Sequence, residues 1–74
     1  MLKISFESRL PNFNTNKELI IKEGILIADI LIEMNFNLDV SDDVLIVFNK
    51  KAINIDYRIN ESGHIILLPY IFGG

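Results

Sequence analysis

Gly24-Ile25-Leu26-Ile27-Ala28-Asp29-Ile30-Leu31-Ile32-Glu33-Met34-Asn35 is the stretch on which the fold turns. Ile27, Ile30, Leu31 and Met34 recur at i, i+3, i+4 and i+7, so they share one helical face, and Asp29 and Glu33 lie off it. A stripe of that kind belongs to a helix packed on a sheet. Gly24 punctuates the chain before it. The cap position falls near Leu26, which has no side-chain oxygen for the first N–H groups, so the start of the helix is weakly specified. Asn35 suits the left-handed residue that stops a helix.

The segments on either side read as strands. Leu2 to Glu7 alternates apolar and polar residues, the period of a half-buried strand. Ser8 to Asn16, rich in Pro and Asn, reads as a loop. Residues 17–23 (KELIIKE) read as a second strand, antiparallel to the first. After the helix, NLDVSDD makes a polar connection. Val44 to Phe48 (VLIVF) is a continuous apolar run, read as a buried strand. Asn49-Lys50-Lys51 turns the chain into Ala52–Tyr57, a short alternating strand with Ile53 and Ile55 on one side. NESG is a further turn, in which Gly63 can take positive φ. Ile65 to Leu68 (IILL) suits a central strand, covered on one face by the helix and on the other by a partner or a loop. The order strand, strand, helix, strand, strand, strand implies an α+β fold, with a mixed sheet of four to five strands wrapping one helix. The first and last strands become parallel neighbours if the helix is the crossover.

Size and composition narrow the function. The chain has 74 residues, half of them apolar, and no cysteine. It reads as a single domain, residues 1–74, able to pack a core without disulfides. One histidine is a poor basis for a zinc site, so no metal is expected. The formal charge of −3 argues against nucleic acid as a partner, and the Lys50-Lys51 doublet reads as a solvated hairpin tip. No apolar stretch approaches the ~20 residues that span a bilayer, and Lys3 and Glu7 break any leader-like pattern at the N-terminus. These features fit a reducing, cytoplasmic setting. His64 has no nucleophile or carboxylate set beside it in sequence, and Ser5, Ser8, Ser41 and Ser62 fall in no nucleophile motif, so no catalytic residue is assigned.

The C-terminal stretch Pro69-Tyr70-Ile71-Phe72-Gly73-Gly74 runs from an apolar strand into a glycine pair. Glycine is the residue that costs most to order, so the pair reads as a thin, mobile tail. At this point LIADILIEMN (26–35), VLIVFNKKAI (44–53) and ESGHIILLP (61–69), closing on Gly73-Gly74, together resemble the ThiS/MoaD family of ubiquitin-like sulfur carriers. The similarity extends over nearly the whole chain. Ser62 and His64 stand where that family usually has acidic residues around the turn glycine. Phe72 stands where a small residue is common, and Leu26 where a Ser or Thr cap is common.

The resemblance implies a β-grasp fold and a carrier rather than an enzyme. Its reacting group would be the α-carboxylate of Gly74, with Gly73 letting the tail thread a narrow channel. An E1-like adenylating enzyme would activate that carboxyl with ATP and Mg²⁺, and a sulfur donor would convert it to a thiocarboxylate. A sulfur-accepting synthase would take the sulfur: the large subunit of molybdopterin (or tungstopterin) synthase, or thiazole synthase in thiamin formation. Pro69 ends the last strand, and Tyr70, Ile71 and Phe72 would dock along a partner. Ile20 and Ile66 could add an apolar docking patch, and Asp39, Asp42 and Asp43 could steer a basic partner. Pro69 and the long Ser8–Asn16 loop lean towards the molybdopterin type. The alternatives are a ubiquitin-like modifier conjugated through Gly74 and a non-covalent β-grasp interaction domain.

Overall fold

The structure is a computed structural model that describes residues 1–70, apart from the side chains of Ser41 and Asp42. Nine-residue strands open the chain: β1 (Leu2–Leu10) and β2 (Phe13–Ile21). A two-residue strand β3 (Ile25–Leu26) leads into the helix α1 (Ile27–Glu33). A 3₁₀ segment, Leu38–Asp43, precedes β4 (Val44–Phe48). β5 (Lys51–Ile53), β6 (Arg58–Ile59) and β7 (Gly63–Pro69) complete the order. The main sheet runs β2-β1-β7-β4-β5, and β3 pairs with β6 in a two-stranded sheet. β1 and β7 are the parallel central pair, and the other neighbours are antiparallel. This is the α+β, β-grasp arrangement expected from the sequence.

The alternation of the strands decides which face the helix covers. Ile4, Phe6, Leu10, Ile46, Phe48, Ile65 and Leu67 point inward and are buried. They meet Ile27, Ile30 and Leu31 from the helix, with Phe36 and Ile59 closing the ends of the core. Met34, the fourth residue of the stripe, is only partly buried against that core.

Leu26 caps nothing with its side chain. The first helical N–H groups are satisfied instead by another segment: Ile27 donates to the Tyr57 carbonyl (3.0 Å) and Ala28 to that of Ile55 (2.8 Å). At the other end Asn35 has φ 63°. The Asn35 N–H donates to the Ile32 carbonyl (3.0 Å) and the Phe36 N–H to that of Leu31 (2.9 Å). Together these are the two bonds of a Schellman stop.

Several sequence expectations need correction. Ser8–Asn16 is not a loop: the β1–β2 ladder continues to Leu10↔Phe13, leaving Pro11-Asn12 as a tight turn. The alternation of β1 simply persists, with Ser8 and Leu10 buried. The long loop that leaned towards the molybdopterin type is therefore absent. The strand expected over Ala52–Tyr57 is confined to Lys51–Ile53, because residues 54–57 turn to supply carbonyls to the helix. Gly63 does not take positive φ; among the described glycines only Gly24 does, at 85°. What requires glycine at 63 is space, since a Cβ there would overlap the Asn49 carboxamide.

Candidate functional site: the end of the central strand

Of the expected functional residues, Pro69 and Tyr70 lie where β7 leaves the sheet. Pro69 is exposed, pairs with Val44 and is the last residue of β7. The next residue continues that pairing by one bond, the Tyr70 N–H donating to the Asp43 carbonyl at 3.0 Å. Tyr70 is about half exposed. Ile71, Phe72, Gly73 and Gly74, the other residues singled out for docking, threading and covalent attachment, lie outside the described residues.

Beside this exit is a cleft of about 260 Å³, lined by Leu10, Pro11, Asn12, Phe13, Phe36, Val40, Asp43, Val44 and Pro69. The Phe13 and Phe36 rings meet edge-on at 5.2 Å between centroids, and Phe6 extends the cluster at 6.5 Å from Phe13. The cleft thus joins the β1–β2 turn, the 3₁₀ segment and the start of β4 to the root of the tail.

The sheet face opposite the helix has two halves. On β7 and β4, Leu68 lies opposite Leu45 and Ile66 opposite Val47, and all four are half-buried, with Ala52 of β5 beyond Val47. This apolar half includes Ile66, as expected. Ile20 is not part of it: it is 62% exposed on the edge strand β2, opposite Lys3, with β1 between it and β7.

The other half is polar. Arg9 donates through Nε to Glu7, and His64 Nε2 lies 3.4 Å from the other Glu7 oxygen. The Arg9 hydrogen bond, aided by Arg9's charge and by His64, holds the Glu7 carboxyl below the ordinary carboxylate range, although desolvation pulls it upward. Next to this cluster is a shallow depression of about 380 Å³ lined by Ser5, Phe6, Glu7, Asn16, Lys17, Glu18 and His64. His64 itself sits in β7 opposite Ser5. Lys50 does occupy a turn, with Asn49 at φ 50° and Lys50 at φ 70°, while Lys51 begins β5. Asp39 and Asp43 are exposed; the side chain of Asp42 is outside the described residues.

Sequence reasoning missed Asn49 as the organiser of this end of β7. Its Oδ1 accepts from the His64 N–H (2.9 Å), and its Nδ2 donates to Glu61 Oε1 (3.2 Å) and the Ser62 carbonyl (3.4 Å). The Asn-Lys turn after an apolar run was the available signal. Among the described residues no cluster of His, Cys, Asp and Glu could hold a metal, and no helix is long and apolar enough to cross a membrane.

No family model and no curated protein matches the sequence. Solved structures do. SAMP1 of Haloferax volcanii superposes with a TM-score of 0.69 at 10% identity, covering 97% of this chain and 99% of that one. A Pyrococcus furiosus protein assigned as molybdopterin converting factor subunit 1 gives 0.70 at 15% identity, covering 96% and 100%. A Caldiarchaeum subterraneum ubiquitin gives 0.60 at 11% identity, covering 99% and 98%. At these identities the likeness establishes the fold: the chain is a ubiquitin-like β-grasp protein of the shape that MoaD-like proteins and ubiquitins share.

Proposed function

We propose that this chain is a ubiquitin-fold carrier or modifier whose reactive group is the Gly74 carboxyl, delivered on the Gly73-Gly74 pair. The observation that carries this reading is the position of β7. A strand at the centre of the sheet runs to Pro69 at the sheet's end, five residues before Gly74 in sequence. A rigid core thus anchors the tail, and its root lies next to an apolar half-face suited to a partner. The likeness to the Haloferax, Pyrococcus and Caldiarchaeum proteins supports the same class.

The chemistry begins with an ionised carboxylate, which is a poor electrophile. Reference values near 3.3–3.7 keep an α-carboxyl charged at neutral pH, by about three orders of magnitude. An E1-like partner would join it to the α-phosphorus of ATP, with Mg²⁺ neutralising the departing pyrophosphate. A sulfide equivalent attacking the acyl carbon would expel AMP and leave a thiocarboxylate. Glycines at 73 and 74 let the backbone lie in a slot and take any φ the site requires. In the sulfur-carrier reading, the acceptor is a molybdopterin- or thiazole-forming synthase. Pro69 alone now leans towards the former.

The second reading is conjugation of the same activated carboxyl to lysine, favoured by the likeness to a ubiquitin. Intact mass measurement of the protein from its native cell separates the two. The carrier reading expects a species with one terminal oxygen replaced by sulfur, and the modifier reading expects Gly74-dependent conjugates. With the cognate activating enzyme, Gly74→Ala should keep the fold and sharply slow adenylation, and deletion of both glycines should abolish it. Normal adenylation of the deleted chain would refute both.

A further inference from the structure

The cleft between the β1–β2 turn and the 3₁₀ segment is a second surface at the end of β7, and its chemistry differs from that of the apolar half-face. We propose that it is a docking socket for the adenylating enzyme, taking one apolar side chain from a segment that carries a lysine or arginine beside it. This rests on the function proposed above, because it names where that enzyme holds the chain.

Lining, charge and position support it. The walls are aromatic and aliphatic, with Phe13 and Phe36 in edge contact and Val40 43% exposed. A cavity of about 150 Å³ accepts a benzene ring, so a cleft of about 260 Å³ has room for a leucine or phenylalanine side chain. Among the described residues that line it, Asp43 alone is charged, and exposed Asp39 is the neighbour of Val40 in the chain. Neither carboxylate has a cationic partner among the described residues. The surrounding chain offers no compensation: residues 23–49 hold six of the ten acidic residues and none of the seven Lys and Arg residues. Arg9, next to the β1–β2 turn, is committed to Glu7 on the sheet face opposite the helix. An apolar socket with an uncompensated negative rim attracts a basic segment and repels an acidic one. An enzyme that handles ATP phosphates gathers positive charge around its site, which complements this rim. Because Pro69 lines the cleft, an enzyme engaged there grips the domain at the last residue of β7.

The test is steady-state adenylation of the full chain by its cognate enzyme, with thermal melts to confirm that each variant is folded. Val40→Glu and Asp43→Lys should each raise KM at least about tenfold and leave kcat within about twofold, the pattern of lost docking rather than lost chemistry. Asp56→Lys makes the same change of charge at an exposed position in the turn before β6, and should raise KM less than about threefold. Added salt should raise the wild-type KM and narrow its gap to Asp43→Lys. If Val40→Glu melts early, Asp43→Lys carries the test, since its side chain is exposed. Adenylation of the wild type with an unchanged KM for Asp43→Lys overturns the socket and leaves the proposed function standing. So does an equal loss in Asp56→Lys, which would assign the effect to net charge, or a fall confined to kcat. Failure of the wild type itself to be adenylated overturns the proposed function and the socket together.

Discussion

Asn49 does the work of three residues at one turn. Its left-handed backbone helps make the two-residue turn that reverses β4 into β5, and its side chain ties that turn to Glu61, Ser62 and His64. Gly63 is the space this side chain needs. Gly63→Ala should therefore force the carboxamide away and cost about 1–3 kcal/mol, the scale of hydrogen bonds left unmade. For a domain of this size that lowers the thermal midpoint by roughly 4–8 °C per kcal/mol. In an Asn49→Ala background the same substitution should cost much less, because the obstacle is gone. Equal costs in both backgrounds would show that the two residues are not coupled. Glu7 offers a pH test. Its folded-state pKa is depressed, mainly by the Arg9 hydrogen bond, so its contribution is present above the unfolded value near 4.3 and is lost as pH falls through the lower folded value. The stability advantage of wild type over Glu7→Gln should therefore shrink as unfolding is measured at successively lower pH below about 4.3.

At the scale of elements, the helix shows how much a sequence can disclose. The Ile27-Ile30-Leu31 stripe and the Asn35 stop were both legible, because each depends on residues within a turn or two of itself. Asn35→Val should destabilise by about 1–2 kcal/mol, since a β-branched residue resists positive φ, while Asn35→Gly should be tolerated. Thermal denaturation of the two variants side by side checks this. What the sequence concealed lies at longer range. The start of α1 is capped by carbonyls of residues 55 and 57, which no local pattern announces. β6 is two residues long and exists only because β3 pairs with it. The β1–β2 turn was obscured by a Pro- and Asn-rich composition that suits loops and tight turns alike. At the candidate site, β7 and Pro69 could be read from hydrophobicity and proline chemistry. The cleft could not, because its walls come from residues 10–13, from Phe36, Val40, Asp43 and Val44, and from Pro69, which only the folded topology brings together.

At the scale of the whole molecule, the sheet divides its outer surface into a polar half and an apolar half, and the apolar half lies on β7 and β4, the pair that ends at Pro69 and Val44. If that half receives the partner, Ile66→Glu should leave the fold intact and weaken binding to the cognate adenylating enzyme at least tenfold, about 1.4 kcal/mol. Ile20→Glu, on the far edge, should change it little. Calorimetric titration of both variants checks the pair, and similar losses for both would place the contact elsewhere.

The central position of β7 also has a consequence for biosynthesis. Among the described strands β7 is the last in sequence, yet it fills the gap between β1 and β4. Until it emerges, β1 has no parallel neighbour and β4 lacks one of its two, so the nascent polypeptide cannot close its sheet before β7 is made. Pairing across so many intervening residues makes such closure slow compared with a helical bundle. A product cut short before β7 therefore cannot complete the sheet.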